Sequence, residues 1–360
     1  MKELEIALKN LLLTLYLSFH SAKKIQSLPN FTSESKILFV RLNRIGDALV
    51  TTPLLHLVKK EIGCKIVVLA DSKNYFTFKN SSFVDQIIIF QKGAKGFRET
   101  LKLLNQMEFD AVVDLHDDVS ATVSLLISRL KVPIKIGLQK SNETIFTHTI
   151  QRLEQSSYHV IERLMMMAKI FSLNYDLSEC NVHYNPLPHS IHKIEEYINK
   201  NINREKIIIG VNISAGSDAR FWGVNNYRKL IDFLKSYDVQ VLLLSTTRDL
   251  RSAMNILPDR QNHIFYTPVF DEFAAIITKI DLLFSPDTAT IHLASAAKIP
   301  VFGIYVKYNT DAQIWSPFQS PFDCVITEEQ TLINITFEEV INKFKPFLEK
   351  YINAKSNPKL

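Results

Sequence analysis

One acidic residue lies at a position where its side chain could take part in proton transfer. Asp47 closes the segment Asn43-Arg44-Ile45-Gly46-Asp47, which directly follows an apolar run typical of a β-strand. A carboxylate is ionised near neutrality and can accept a proton from a hydroxyl group. The alternative is that Asp47 only caps a helix, with Thr52 and Pro53 beginning the next one.

A second segment, residues 282–297, is a hydrophobic strand that runs directly into a helix start. The N-terminus of a helix offers backbone N–H groups and the positive end of its dipole to a diphosphate. Thr288 and His292 are spaced to share one helix face, with Ala289 beside them, so a hydroxyl and an imidazole could reach one ligand. The alternative is that Asp287 is a helix cap and His292 a partly buried structural residue.

A third segment follows the predicted strand at residues 206–213 and is rich in small residues, including Ser214 and Gly216. Such a loop lets the backbone approach a phosphate, and Arg220 could add a bidentate positive charge. The alternative is a solvated Arg220 beside a packed Trp222.

In the predicted order of strands and helices, the candidate residues of these three segments lie in or next to the loops that follow strands. Apolar, β-rich runs alternate with helical patterns in two series, which predicts an α/β fold of two Rossmann-like, doubly wound parallel sheets. We expect the two sheets to face a central cleft at the carboxyl ends of their strands. The predicted strands are residues 36–42, 65–70, 86–90, 111–115, 206–213, 239–245, 282–285 and 300–306. The predicted divisions are an amphipathic extension at 1–34, domains at 35–185 and 186–335, and a C-terminal helix and tail at 336–360.

Composition narrows the class of protein. The net charge of +5, from 42 basic and 37 acidic residues among 360, is too balanced for a dedicated nucleic-acid binder. The three cysteines have no metal-ligand spacing, and we expect a reducing cytoplasm. Neither GxGxxG nor GxxxxGK[ST] occurs, which disfavours dinucleotide binding and Walker-type ATP hydrolysis. The apolar N-terminal stretch is too short to span a bilayer; packing on the protein's own surface and peripheral membrane contact are both open.

Together these motifs resemble the bacterial heptosyltransferases, the glycosyltransferase family that builds the lipopolysaccharide inner core from ADP-heptose. The resemblance covers roughly residues 36–305 and is carried by the motifs at 40–47, 52–53, 83–85, 114–116, 159–163, 220–222 and 287–294. It implies a GT-B architecture, with an N-terminal acceptor domain and a C-terminal donor domain. It also implies an inverting reaction without metal or cofactor.

The resemblance assigns roles to individual residues. Asp47 matches the family's general base. Arg220, Asp287, Thr288 and His292 match its donor-binding positions. The predicted donor-binding set also includes Ser214, Gly216 and Ala289, and the predicted acceptor-side candidates are Arg44, Gly46, His116 and His159. The expected partners are a nucleotide sugar, a lipopolysaccharide-core or related glycan acceptor, and peripherally the cytoplasmic face of the inner membrane, with no nucleic acid.

Departures from the family pattern keep alternatives open. Ala289 stands where the family has glycine, and Thr246, Thr247 and Arg248 stand where an acidic residue is common near the nucleotide. Asp117 and Asp118 should repel an anionic acceptor, so the acceptor is either not the usual keto-sugar acid of lipid A or docks elsewhere. The alternatives are a same-fold transferase that uses another nucleotide sugar, or a catalytically silent nucleotide- or glycan-binding relative.

Overall fold

The computed structural model describes residues 16–17, 21–259 and 263–356. It divides the chain into two compact domains, Met1–His183 and Tyr184–Leu360. Most of the predicted N-terminal amphipathic helix lies outside the described residues. Its described part packs on the N-terminal domain: Leu17 is buried in the core, and the Tyr16 hydroxyl lies 3.1 Å from the Ser128 hydroxyl.

The N-terminal domain contains a six-stranded parallel sheet in the order β3-β2-β1-β4-β5-β6. Its strands are β1 (Lys36–Arg41), β2 (Lys65–Ala70), β3 (Gln86–Ile89), β4 (Ala111–Asp114), β5 (Ile134–Leu138) and β6 (His148–Ile150). Its helices are α1 (Ile45–Leu49), α2 (Thr52–Ile62), α3 (Gly93–Gln106), α4 (Ala121–Arg129) and α5 (Val160–Met165).

The C-terminal domain repeats this topology with a six-stranded parallel sheet in the order β12-β11-β10-β7-β8-β9. Its strands are β7 (Ile207–Asn212), β8 (Val239–Ser245), β9 (Ile264–Tyr266), β10 (Leu282–Pro286), β11 (Val301–Val306) and β12 (Phe322–Thr327). Its helices are α6 (Pro188–Asn201), α7 (Val224–Leu234), α8 (Leu250–Ile256), α9 (Phe270–Ile277), α10 (Ala289–Ala296) and α11 (Phe337–Ser356).

The central strands are continuous apolar runs because helices cover both faces of each sheet. In β1 every residue from Ile37 to Arg41 is buried, and β7 and β10 are buried along their whole lengths. The helices bury one stripe each: α3 turns Gly96, Thr100 and Leu104, spaced four apart, toward the sheet. The predicted α/β class with two doubly wound parallel sheets is confirmed.

Strand order determines where ligands can bind. In each domain the order reverses at a pair of adjacent central strands, β1 and β4 in the first and β7 and β10 in the second. Loops at the carboxyl ends of such strands diverge and leave a crevice in doubly wound folds. Residues 42–47 and 115–118 follow β1 and β4, whereas residues 213–220 and 287–288 follow β7 and β10. Most of the residues singled out above therefore lie at these crevices, but His159 lies after β6 and His292 lies within α10.

Candidate active site

Asp47 lies in the first turn of α1, where the chain leaves β1. The turn between them includes Asn43 with φ +106°, a left-handed conformation that asparagine tolerates better than most residues. One oxygen of the Asp47 carboxylate, Oδ1, accepts a hydrogen bond of 2.8 Å from Nη2 of Arg41. Within the described residues its Oδ2 makes no hydrogen bond, and the side chain is 20% exposed. The carboxylate is therefore fixed at one oxygen and open to solvent.

The acceptor-side candidates are placed differently from one another. Arg44 is exposed beside Asp47 and its side chain forms no ion pair among the described residues, so its charge is available to a ligand. Gly46 is half-buried in α1, where its carbonyl accepts the N–H of Val50. His159 is buried and caps α5: its Nδ1 accepts the N–H of Ile161 in a capping box with Glu162.

His116 is engaged within the domain. Its Nδ1 lies 2.8 Å from Asp114 Oδ1, its Nε2 lies 3.0 Å from the carbonyl of Leu42, and the residue is 3% exposed. This placement fits a residue that ties the loop after β4 to the end of β1 better than one that contacts a ligand.

A buried ion pair between Lys140 and Asp114 lies next to His116. Lys140, which follows β5, donates 2.9 Å to Asp114 Oδ2 and 2.7 Å to the carbonyl of His116. Burial alone would raise the pKa of Asp114, but the charge of Lys140 and the hydrogen bond from His116 prevail and hold it well below its usual range. Asp114 is therefore ionised at neutral pH and forms an ion pair with Lys140.

The expectation that Asp117 repels an anionic acceptor assumed that its charge is unpaired, and that assumption is wrong. Its carboxylate accepts hydrogen bonds from both Arg152 and Arg163, with Nη2–Oδ2 distances of 2.9 and 2.8 Å. Although burial raises the pKa of Asp117, these two guanidinium groups lower it below its ordinary value. Asp118 is exposed and lies 3.1 Å from Arg152. Two guanidinium groups face two carboxylates here, which removes the argument that this loop repels an anion.

In the C-terminal domain a buried asparagine joins the two loops of the donor candidates. The side-chain nitrogen of Asn212, at the end of β7, lies 3.0–3.3 Å from four oxygens around the carboxyl ends of β7 and β10. They belong to Ser214, Ser285, Thr288 and Thr290. Its Oδ1 accepts the N–H of Ser214. With two hydrogens shared among these acceptors, one side chain holds both loops together.

The loop after β7 begins buried and becomes exposed at Gly216. Ser214 is buried and its hydroxyl accepts the N–H of Thr246 at 2.8 Å, whereas Gly216 is exposed. A Cβ added at Gly216 would meet no heavy atom within 4 Å, so packing in the protein does not demand glycine there.

Arg220 and Asp287 form an ion pair between the two loops, with Nη2–Oδ2 at 3.0 Å and side chains 31% and 22% exposed. Thr288 is the N-cap of α10: its hydroxyl accepts the N–H of Thr290, so Asp287 is not the cap. Ala289 is half-buried as the first residue of the helix. A guanidinium group and a helix N-terminus therefore lie side by side, an arrangement that favours a diphosphate.

Two neighbours of this site are buried. Trp222 is fully buried and its Nε1 donates to the carbonyl of Ile335 at 2.8 Å, so it anchors the loop that carries Arg220. His292 is 2% exposed, with its ring 6.2 Å from that of Trp315. The buried position of His292 agrees with the structural alternative for that residue, whereas Thr288 lies outside the helix as its cap.

Sequence reasoning missed Arg41, Lys140 and Asn212, which hold these loops. A signal existed for Arg41, since it ends an apolar run that forms a central strand, and a buried charge needs a partner. Some of the contacts join residues that are distant in sequence: Arg41 donates to the carbonyl of Leu115, and Lys140 donates to Asp114.

Over the described ranges, no three His, Cys, Asp or Glu side chains are grouped so that they could hold a metal ion. No helix in the same ranges combines the length and the apolar character needed to cross a bilayer.

Known proteins are similar to this chain in sequence. The model of glycosyltransferase family 9 (heptosyltransferase) matches residues 97–344. The lipopolysaccharide core heptosyltransferase OpsX of Haemophilus influenzae is 22% identical over 298 residues, which cover 78% of this chain and 82% of that protein. Lipopolysaccharide heptosyltransferase 3 of Escherichia coli is 23% identical, over 76% of this chain and 82% of its own length.

Solved structures establish the fold. A family 9 glycosyl transferase from Veillonella parvula superposes with a TM-score of 0.78 at 18% identity, covering 90% of this chain and all of that one. The ADP-heptose lipopolysaccharide heptosyltransferase II of E. coli gives 0.67 at 18% identity, with coverage of 88% and 99%. The E. coli heptosyltransferase WaaC with ADP gives 0.66 at 18% identity, again covering 88% and 99%.

The fold is thus the GT-B fold, and the protein is a glycosyltransferase. Because the family model covers more than half of the chain, the chain belongs to glycosyltransferase family 9, the heptosyltransferase family.

Proposed function

We propose that this glycosyltransferase transfers a heptose from ADP-heptose to the lipopolysaccharide core or a related surface glycan, with inversion at the anomeric carbon. The observation that carries the donor half is the pairing of Arg220 with Asp287 beside the N-cap of α10. The E. coli relatives that share the fold are described as acting on ADP-heptose or as solved with ADP, which supports the same donor class.

The donor half of the proposal rests on charge. As the bond between the anomeric carbon and the diphosphate breaks, its electron pair leaves with ADP, and negative charge grows on the β-phosphate. Arg220 and the N–H groups at the start of α10 are fixed before the reaction, so they stabilise this charge without reorganising. In this proposal they do the work that a divalent cation does in other transferases, and no protein-bound metal or cofactor takes part.

The acceptor half rests on Asp47. Its Oδ2 takes the proton of the attacking hydroxyl while the acceptor oxygen forms the new bond to the anomeric carbon. A single displacement of this kind inverts the configuration. Arg44, exposed beside Asp47, supplies a cation for an anionic group of the acceptor. Since Asp117 is neutralised by Arg152 and Arg163, a sugar acid is a compatible acceptor.

The loop after β8 favours a second candidate, a transferase of the same fold that uses another nucleotide. Asp249 is the acidic residue of this loop, but its Oδ1 pairs with Arg248 at 3.0 Å and its Oδ2 accepts from the Thr246 hydroxyl at 2.9 Å. The carboxylate is therefore occupied, and the exposed side chains are those of Thr246, Thr247 and Arg248.

The test is a mass-spectrometric screen of purified full-length protein with ADP-heptose, UDP-sugars and GDP-sugars and with defined core acceptors. We expect transfer from ADP-heptose alone and inhibition by ADP, with weak inhibition by UDP or GDP. Transfer from a UDP- or GDP-sugar would establish the second candidate. Absence of transfer from every donor would contradict both.

A lipid-linked acceptor also implies that the enzyme works peripherally at the cytoplasmic face of the inner membrane. Lys2, Lys9, Lys23 and Lys24 flank the apolar N-terminal stretch, a composition suited to anionic lipid. Co-sedimentation of the full-length chain with anionic vesicles should exceed that with neutral vesicles; equal sedimentation with both would contradict this part of the proposal.

A further inference from the structure

All three nitrogens of the Arg41 guanidinium group donate hydrogen bonds, two of them to Asp47 and one to Leu115. Its Nε donates 2.8 Å to the Asp47 carbonyl, its Nη2 donates 2.8 Å to Asp47 Oδ1, and its Nη1 donates 2.6 Å to the carbonyl of Leu115. Arg41 itself is 1% exposed. One side chain thus contacts both the backbone and the carboxylate of Asp47 and joins them to the end of the neighbouring strand β4.

This arrangement carries an electrostatic cost. Burial lowers the pKa of Arg41, and the nearby carboxylates, Asp47 foremost, oppose that effect. Closing the end of a strand needs only neutral donors to the two carbonyls. The bond to Oδ1 is the charge-assisted one; together with the bond from Nε to the backbone carbonyl of the same residue, it fixes the position of that carboxylate oxygen.

The local backbone alone positions Asp47 weakly. Helix α1 is five residues long, its N-cap Arg44 makes no side-chain capping bond, and Asn43 before it has φ +106°. By contrast, the end of β4 is held firmly, since the side chains of Asp114, His116 and Lys140 are buried and hydrogen-bonded. Arg41 therefore anchors Asp47, which lies in the short helix α1, to the end of β4.

We propose that Arg41 is the positioning residue of the sugar-transfer step: it binds Asp47 Oδ1 so that Oδ2 faces the acceptor hydroxyl. This inference rests on the proposed role of Asp47 as the base. Arg41 contacts neither the substrate nor the transferred proton, which passes from the acceptor oxygen to Oδ2. Its contribution is orientation, and a displacement of about 1 Å at a reacting group can cost on the order of 10²-fold in rate.

A double-mutant cycle on kcat tests the inference. Arg41→Lys keeps the cation but loses the fork, and we expect it to lower kcat about 10- to 100-fold with the donor KM within about twofold of wild type. In the Asp47→Asn background the same change should cost less than about twofold, because the group it positions is already gone. Equal losses in the two backgrounds would show a general structural role and overturn the inference.

The matched control is Arg163→Lys, which breaks the other buried arginine fork of this domain, the one on Asp117. Its effect on kcat should be the same in both backgrounds. If Asp47→Asn retains normal turnover, the proposed function fails; if Asp47→Asn is inactive while Arg41→Lys turns over normally, only the positioning inference fails.

A second variant and a second measurement keep the inference testable if Arg41→Lys does not fold. Arg41→Gln carries no charge and can still donate to one carbonyl, so it replaces Arg41→Lys in the cycle if the latter does not fold. Independently, Asp47→Asn should lower the Tm by several degrees, because the buried guanidinium group of Arg41 loses the negative charge with which it forms an ion pair. An unchanged Tm would overturn the inferred pair.

Discussion

The Arg220 guanidinium and the Asp287 carboxylate, which follow different strands of the C-terminal domain, form an ion pair 3.0 Å long. The two side chains are about a third and a fifth exposed, so the pair is held at the surface rather than in the core. Such a pair adds little to stability but fixes the direction in which a guanidinium group points. In this site it holds Arg220 beside the N-terminus of α10.

Replacing Arg220 should weaken diphosphate binding. Arg220→Gln removes a charge-assisted hydrogen bond of about 1.5–3 kcal/mol, so we expect the Kd for ADP, measured by calorimetry, to rise about 10- to 100-fold. The matched control is Arg228→Gln, which changes an arginine on α7 that donates to the carbonyl of Asn255. Its Kd for ADP should stay at the wild-type value; equal weakening in both variants would remove Arg220 from the site.

Gly216 offers a test of close backbone approach. Gly216→Ala adds a methyl group that meets no protein atom within 4 Å, so the Tm should not change. If a phosphate contacts this backbone, the methyl group should obstruct it and raise the Kd for ADP several-fold. The opposite pattern is expected for Gly223→Ala, because φ is +96° there: a loss of about 1 kcal/mol in stability and unchanged ADP binding. Unaltered ADP binding by Gly216→Ala would place the diphosphate elsewhere.

Lys140 should be a determinant of stability in the N-terminal domain. Lys140→Met leaves Asp114 buried without its cation, and we expect the free energy of unfolding in urea at pH 7 to fall by about 3–5 kcal/mol. Lys92→Met, which breaks the partly exposed pair with Asp71, is the control and should cost under about 1 kcal/mol.

The stability lost in Lys140→Met depends on pH, in a direction set by the lowered pKa of Asp114. Because the pKa of Asp114 is lower in the folded state than its ordinary value of 3.8, the ion pair stabilises the fold fully above that value. The contribution disappears as the pH falls through the lower, folded pKa. The difference between wild type and Lys140→Met should therefore shrink as the pH falls below about 4. A difference that grows on acidification would contradict the assignment.

The eight strands predicted from sequence are all present, because each is a run of apolar residues long enough to stand out. The strands missed are β5, β6, β9 and β12. Strands β6 and β9 have three residues each, and β12 is an edge strand with Phe322 and Ile326 exposed, so they lack the alternation or continuity that marks a buried strand.

The site was predictable to the level of loops but not of contacts. Asp47, Arg220 and Thr288 follow strands in the sequence, and their positions at carboxyl ends follow from that order. Which side chains meet could not be derived, since Arg41 and Leu115 lie 74 residues apart and meet only because β1 pairs with β4. The same limit explains Asp117: its two arginines lie 35 and 46 residues further along the chain.

The most direct test of the account is the rate of transfer from ADP-heptose by Asp47→Asn, measured beside the Kd for ADP. A positioned base contributes about 10²- to 10⁴-fold, so kcat should fall by that factor while the Kd for ADP stays within about twofold of wild type. The control is Asp85→Asn, an acidic residue of the same domain that pairs with Lys59; its turnover should be normal. Normal turnover by Asp47→Asn would contradict the account.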